Sequence, residues 1–171
     1  MNRRIRAAYT GLAFGALLAS DAAGEVLFDC ALGNKQLSVT LEGGTATYTF
    51  GPKGAPEMTI TAAPRDLNYV PWNGIGRFMP EAVEFENQGA IYQVWYGLEK
   101  LIDENAPLPP IRGGVWVMKG DEVLADLVCD APPSVYALEA IYDAKLAAGQ
   151  CHDWESQSWG TRCTDQPKVS P

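Results

Sequence analysis

The chain has 171 residues, of which 47% are hydrophobic and 20% charged, and its formal net charge is −8. This balance of apolar and charged residues is typical of a folded globular protein rather than a disordered one. The negative charge argues against nucleic-acid binding, because a protein that neutralises phosphates needs a basic face. A single His excludes any site that requires two imidazoles.

The first 24 residues are typical of a secretory signal peptide. Three arginines precede an apolar stretch, Ala7–Ala19, and the small residues Ala22-Ala23-Gly24 offer a cleavage site. The apolar stretch is shorter than the roughly 20 residues that span a membrane. A lipoprotein cleavage site requires a small residue directly before the cysteine, whereas Asp29 precedes Cys30. We therefore expect a periplasmic or secreted protein without a stable membrane anchor. Cleavage after residue 24 would remove three Arg and one Asp, changing the net charge to −10.

The four cysteines of an exported chain are expected to form two disulfides. Of the three possible pairings we predict Cys30–Cys129 with Cys151–Cys163. The first bridge would join the end of the first predicted strand to the end of the last, and the second would close a short loop. We predict no metal site, because neither the cysteine spacing nor the single His suits zinc, and no cofactor.

Period-two alternation of polar and apolar residues predicts β-strands through the middle of the chain. Gln36–Leu41 and Thr45–Phe50 alternate on either side of Gly43-Gly44, which is a strong hairpin signal. With a strand ending at Cys30, further strands are predicted at 57–62, 82–86, 90–98, 115–118 and 123–129. About eight strands at regular spacing predict a mainly β fold, an antiparallel sandwich or barrel. The proline-rich segments 64–80 and 105–110 are predicted to be irregular.

The hydrophobic period changes to that of a helix after Pro132-Pro133. Ser134 is the predicted N-cap and Gly149 the predicted stop. Five apolar residues share one helical face: Val135, Leu138, Ile141, Tyr142 and Leu146. We therefore predict one C-terminal α-helix against the sheet or at one end of it. The predicted organisation is a signal peptide (1–24), a β-domain with this helix (25–150), and a disulfide-closed loop with a tail (151–171).

The predicted bridged loop contains the only His and two tryptophans. His152 adjoins Cys151, and we expect it to be an exposed polar residue of the loop. All four thiols are predicted to be bridged and no G-x-S-x-G motif is present, so a nucleophile activated by His is not expected. Trp154 and Trp159 are either a binding patch or, as we prefer, tucked onto the domain.

Carboxylates are the remaining candidates for catalysis, in the manner of a glycosidase pair. Glu81, Glu84 and Glu86 cluster in the sequence, and Glu84 and Glu86 share one face of a predicted strand. That pattern is typical of a solvated sheet face. Asp126 has apolar neighbours in its strand, where a charge also discourages pairing at a sheet edge. We expect no enzymatic activity from these residues.

The segment Pro71–Phe78, PWNGIGRF, is the least generic part of the chain. Its Trp72, Asn73 and Arg77 on a backbone shaped by glycine have the composition of a recognition patch. The alternative is a loop folded back over the core, with Trp72 and Phe78 as lids.

Several segments resemble an uncharacterised exported β-rich family of Gram-negative bacteria. They are Phe28-Asp29-Cys30, Thr47–Gly51, Pro71–Arg77 and the GGVWV run that begins at Gly113. This resemblance covers most of the mature chain and implies no particular activity.

The run Gln88-Gly89-Ala90-Ile91-Tyr92 is similar to the S-G-x-x-Y loop of periplasmic C-type lysozyme inhibitors, with Gln88 in place of the Ser. Those inhibitors are small exported β-barrels whose loop enters the lysozyme active site. The resemblance implies Gly89 and Tyr92 as binding residues and a basic periplasmic protein, such as a lysozyme, as the partner. The acidic charge of the chain agrees with such a partner.

Taken together, these features predict a secreted periplasmic binding or inhibitor module that is not an enzyme. The binding residues expected are Trp72, Asn73, Arg77, Gly89 and Tyr92. The alternatives are a carboxylate-based cell-wall hydrolase and a structural envelope protein without a discrete ligand. Neither the ligand nor the oligomeric state follows from the sequence.

Overall fold

The computed structural model describes residues 24–163, so the predicted signal peptide (apart from Gly24) and the tail after Cys163 lie outside it. Within this range the chain forms twelve strands and one α-helix, α1 (Glu139–Ala147). The strands are β1 (Glu25–Leu32), β2 (Lys35–Glu42), β3 (Thr45–Gly51), β4 (Met58–Ala62), β5 (Asn68–Val70), β6 (Phe78–Asn87), β7 (Ala90–Glu99), β8 (Arg112–Lys119), β9 (Glu122–Val128), β10 (Val135–Tyr136), β11 (Cys151–Asp153) and β12 (Ser158–Gly160).

Two antiparallel sheets of five strands form a β-sandwich. The first has the order β10-β1-β2-β3-β4 and the second β5-β6-β7-β8-β9, while β11 and β12 pair as a separate hairpin. The predicted mainly β fold with antiparallel sheets is therefore confirmed, in the form of a sandwich. No helix in residues 24–163 is long and apolar enough to cross a membrane.

The core lies between the sheets because the alternating side chains of each strand separate apolar from polar groups. In β2, Leu37 and Val39 are fully buried. Tyr48 of β3 spans the interface, with its ring centroid 5.7 Å from that of Phe85 and 5.6 Å from that of Tyr92. The outward face of each sheet is therefore available for other contacts.

Both predicted disulfides are present. Cys30 of β1 is bonded to Cys129, which directly follows β9, so this bridge joins the two sheets over a sequence separation of 99. Cys151 and Cys163 close the C-terminal hairpin over a separation of 12. Two bridges are consistent with an oxidising extracellular or periplasmic location.

The predicted start of the helix was wrong. Ser134 does not cap α1; its backbone N–H donates to the carbonyl of Asp29 and its hydroxyl to the Asp29 carboxylate. Val135 and Tyr136 form β10 beside β1, because the free edge of β1 supplies backbone partners that replace those of a helical turn. Gly149, with φ of +80°, follows the end of α1 as predicted.

Part of the segment 64–80, which was predicted to be irregular, has regular secondary structure. Pro64–Asp66 form one 3₁₀ turn, β5 pairs with the middle of β6, and β6 begins at Phe78 rather than at residue 82. Pro80 is tolerated inside β6 because β5 pairs only with Ala82–Glu84, which leaves that edge of β6 free near Pro80.

Candidate binding cleft

A row of polar side chains crosses the outward face of the second sheet. Asn68, Glu84, Gln93, Trp116 and Asp126 occupy matching positions on its five strands. The Glu84 carboxylate accepts hydrogen bonds from Asn68 Nδ2 at 2.9 Å and Gln93 Nε2 at 2.6 Å. Trp116 Nε1 donates to Asp126 Oδ1 at 2.8 Å. These bonds hold the Trp116 indole and the Gln93 amide in fixed orientations.

Aromatic rings cover the sheet beside this polar row. Trp95 stacks on Trp116 with ring centroids 5.2 Å apart and meets Phe78 edge-on at 6.1 Å. Phe78 lies over Gly97, where a Cβ atom would stand 2.7 Å from the ring. The absence of a side chain at Gly97 therefore lets the Phe78 ring reach the sheet. Trp95 is only 3% exposed and forms the base of this aromatic layer.

The loop between β5 and β6 adds a third tryptophan. Trp72 Nε1 donates to the carbonyl of Ile75 at 3.1 Å, and Asn73 Oδ1 accepts the N–H of Ile75 at 3.0 Å. Both glycines of the loop have positive φ values, +83° and +90°, which other residues rarely adopt. Lys100 Nζ lies 4.3 Å from the centre of the Trp72 ring. The loop thus presents an indole in a defined orientation.

Loop and sheet enclose a cleft of about 320 Å³. This volume is at the lower end of the range for small-molecule sites. Four aromatic side chains and three amides are among its lining groups: Trp72, Phe78, Trp95, Trp116, Asn73, Gln93 and Gln157. The cleft is therefore an aromatic slot with a rim of neutral polar groups.

The base of the cleft holds an unused hydrogen-bond donor. Trp95 Nε1 is buried and has no hydrogen-bond partner among residues 24–163. The indole N–H groups of Trp72 and Trp116 are, in contrast, both bonded to the protein. A buried donor without a partner costs about 1–3 kcal/mol, and this N–H is enclosed by neighbouring atoms of the protein rather than open to the cleft.

Glu81 also borders the cleft, but its carboxylate turns to the other face of β6. There it accepts hydrogen bonds from the hydroxyls of Tyr69 and Tyr96, and Tyr96 lies 3.1 Å from Glu139 as well. Burial, followed by the bond and charge of Glu81, raises the pKa of both tyrosines, so they remain protonated donors. Glu81 and Glu84 consequently face opposite sides of the sheet and do not form a catalytic pair across one surface.

The five residues predicted for binding do not share one surface. Trp72 and Asn73 line the cleft, and Arg77 is exposed outside its lining. Gly89 is in the β6–β7 turn, at the opposite end of a hairpin about 30 Å long. Tyr92 points into the sandwich, where it packs on Tyr48. Phe78 does act as a cover, but over Trp95, which it meets edge-on, rather than over the core between the sheets, and Trp72 lines the same cleft.

The C-terminal hairpin differs from the exposed loop expected around His152. His152 is only 4% exposed, with its ring centroid 4.7 Å from that of Trp154 and 5.3 Å from that of Trp159. Burial lowers its pKa, and the nearby Asp153 opposes this only in part. The expectation of an exposed His was wrong because the flanking indoles enclose the imidazole. Trp159 does tuck onto the domain, whereas Trp154 is largely exposed.

Among the lining residues that sequence reasoning missed are Gln93, Trp95, Trp116 and Gln157. A signal for the first two was present. The turn at Gln88-Gly89 sets the register of β6 and β7, which places Gln93 opposite Glu84 and Trp95 opposite Ala82. No comparable signal existed for Trp116 or Gln157, because a long loop and the helix separate them from this hairpin.

No protein-family model matches the chain, and no curated protein or solved structure matches it either. Residues 24–163 contain no group of three or more His, Cys, Asp and Glu side chains that could hold a metal ion. The chemistry of the cleft is therefore the guide to function.

Proposed function

We propose that this protein is a non-catalytic binding module of the periplasm or the extracellular space, with its ligand in the aromatic cleft. The observation that carries the proposal is the arrangement of the three indoles. Trp72 and Trp116 are each fixed by a hydrogen bond from Nε1, while the buried Trp95 ring forms the base. A site that is already ordered loses little conformational entropy on binding. The two disulfides and the leader-like N-terminus support export.

The hydrogen bonds of the outward carboxylates support binding rather than catalysis. Glu84 accepts bonds from Asn68 and Gln93, and Asp126 accepts one from Trp116. Both carboxylates thus orient neighbouring side chains of the cleft wall. His152, which would have to serve any imidazole-based reaction, is enclosed by tryptophans away from this surface.

A panel of defined ligands tests the proposal. The mature protein is titrated with neutral oligosaccharides, a trilysine peptide and a C-type lysozyme. Binding is followed by calorimetry. We expect at least one member to bind and Trp72→Ala to weaken it. Trp154→Ala is the matched control, because Trp154 is an exposed indole that does not line the cleft. Absence of any binding that depends on Trp72 would contradict the proposal.

A second candidate function is inhibition of a basic protein such as a lysozyme. The tip of the β6–β7 hairpin favours it, because Gln88 and Gly89 project into solvent next to the exposed Glu86. Both turn residues have positive φ (53° and 76°), as in a type I′ turn. The net charge of −8 would steer the chain toward a basic partner.

Lysozyme inhibition is tested at the hairpin tip. If the hairpin enters the active site, Gln88→Asn should weaken inhibition while keeping the turn, since Asn-Gly suits type I′. Glu86→Lys should weaken it further by reversing a charge, and Trp72→Ala should leave it unchanged. Full lysozyme activity in the presence of excess wild-type protein would exclude this candidate.

A further inference from the structure

We infer that the aromatic cleft binds a neutral saccharide segment through indole stacking and hydrogen bonds to the amides of Asn73, Gln93 and Gln157. This inference rests on the proposed function and names the chemical class of its ligand. It is carried by three properties of the cleft: the amide rim, the charges at its ends and the aromatic walls.

The amides of the rim offer both donors and acceptors. Asn73 uses Oδ1 for the N–H of Ile75, which leaves its NH₂ group as a donor. Gln93 and Gln157 each use Nε2, toward Glu84 and the carbonyl of Trp154, which leaves both Oε1 atoms as acceptors. Saccharide hydroxyls also donate and accept, so this mixture suits them.

The charges near the cleft favour a neutral occupant. Lys100 lies 4.3 Å from the Trp72 ring and Arg112 lies 5.6 Å from the Phe78 ring, so this end already holds two cations. Glu84 and Asp126 lie on the polar row at the other end. Glu81 is the one charged residue of the lining itself, and its carboxylate is bonded to the hydroxyls of Tyr69 and Tyr96. A cationic side chain would be repelled at the end that holds Lys100 and Arg112. An anionic ligand would be repelled at the end that holds Glu84 and Asp126.

The aromatic walls supply the remaining contact. The negative face of an indole attracts the positively polarised C–H groups of a sugar ring. A saccharide combines such C–H faces with polar groups around its perimeter, which matches indole walls surrounded by amides. A neutral peptide would fill the slot with apolar side chains but would offer the rim little beyond its backbone groups.

The test uses the full mature protein with the N-acetylglucosamine tetramer, cellotetraose and maltotetraose, and with a trilysine and a trialanine peptide for comparison. Affinities are measured by calorimetry, and thermal unfolding confirms that each variant is folded. We expect at least one tetrasaccharide to bind. Trp72→Ala should weaken that binding about tenfold through loss of one indole face. Trp95→Phe keeps a ring but reduces the aromatic area at the base, and should weaken that binding less than Trp72→Ala does.

Two further variants keep the test decisive. Asn73→Ala, at an exposed loop position, should weaken binding about threefold even if Trp95→Phe fails to fold. Trp154→Ala should leave the affinity unchanged. Failure of all three saccharides to bind, or equal binding to wild type and Trp72→Ala, would overturn the inference.

The two peptides distinguish failure of the saccharide inference from failure of the proposed function. If a peptide binds in a Trp72-dependent manner and no saccharide does, the saccharide inference is wrong and the binding module remains. If neither the tetrasaccharides, the peptides nor lysozyme binds through the cleft, both proposals are wrong.

Discussion

The indole N–H of Trp159 donates a hydrogen bond to the backbone carbonyl of Tyr69 at 2.6 Å, across 90 residues of sequence. Tyr69 is the middle residue of β5, and the cleft loop begins two residues later at Pro71. The same C-terminal hairpin places Gln157 in the cleft lining. A disulfide-closed hairpin outside the two sheets therefore supports one end of the candidate site.

Trp159→Phe tests this support. The variant keeps an aromatic ring but leaves the Tyr69 carbonyl without its donor, so the free energy of unfolding should fall by about 1 kcal/mol. Amide hydrogen exchange should accelerate in residues 68–77. Trp154→Phe, in the same hairpin, keeps a ring beside His152 and removes no side-chain hydrogen bond, so it is the control and should leave exchange at 68–77 unchanged. Unaltered exchange at 68–77 in Trp159→Phe would show that the hairpin does not support the loop.

The two disulfides should contribute unequally to stability. The chain-entropy model assigns about 4–5 kcal/mol to the Cys30–Cys129 bridge, which spans 99 residues, and about 3 kcal/mol to the Cys151–Cys163 bridge, which spans 12. Urea unfolding of the two double Cys→Ala variants measures this difference. The reverse order of stability would mean that native contacts, rather than the unfolded chain, dominate the effect.

Lys145 holds the helix to the 3₁₀ turn. It is 1% exposed, and its Nζ donates to the carbonyls of Leu67 at 2.6 Å and Pro64 at 3.3 Å while lying 4.6 Å from the Trp159 ring. Lys145→Met keeps the stem but leaves these carbonyls without their donor, so unfolding should become easier by about 1–3 kcal/mol. Lys119→Met, at an exposed position, is the control. A similarly small change in the free energy of unfolding in both variants would show that Lys145 does not hold the helix to the 3₁₀ turn.

Stability should fall in mild acid because of His152. Burial lowers its pKa below the ordinary 6.5, so the unfolded chain takes up this proton at a higher pH than the folded one. The free energy of unfolding should therefore decrease as the pH is lowered from about 7 to 5 and gain nothing from His152 above that range. His152→Phe should show a shallower slope in urea titrations over this range. An unchanged slope would assign the pH dependence to other groups.

Acid lability has a second source at lower pH in the same hairpin. Backbone N–H groups of Ser156 and Glu155 donate to Asp153 and lower the pKa of its carboxyl below the ordinary 3.8. A carboxyl of this kind stabilises the fold above the ordinary value and loses its contribution as the pH falls below it. Titrations of His152→Phe kept above about pH 5 avoid this second effect.

The strands and turns were predictable because they depend on neighbours in sequence. Polar and apolar residues alternate in Gln36–Leu41 and Thr45–Phe50 because successive side chains of a strand point to opposite faces of the sheet. The Gly43-Gly44 turn, with both φ values positive, then sets how these strands pair. The disulfide pairing was within reach for a related reason, since it followed from which predicted strands end at a cysteine.

The errors share a cause in contacts between distant residues. Ser134 and Val135 carry helix signals, yet Ser134 bonds to Asp29 and Val135 pairs with the free edge of β1, across about 105 residues. His152 is polar and sits in a hairpin, yet Trp154 and Trp159 enclose it. In both cases the local preference of the chain is smaller than the gain from tertiary hydrogen bonds and packing.

By itself, the sequence determined the two faces of each strand, the main turns, the disulfide-stabilised β fold and the unusual character of the Trp72 loop. All of these follow from local periodicity, backbone restrictions and cysteine number. Only the tertiary structure decided what that loop covers. Trp72, Trp95 and Trp116 line one cleft because β5, β6, β7 and β8 lie side by side in the second sheet, and residues brought together from about 20 positions apart leave no periodic signal in the sequence.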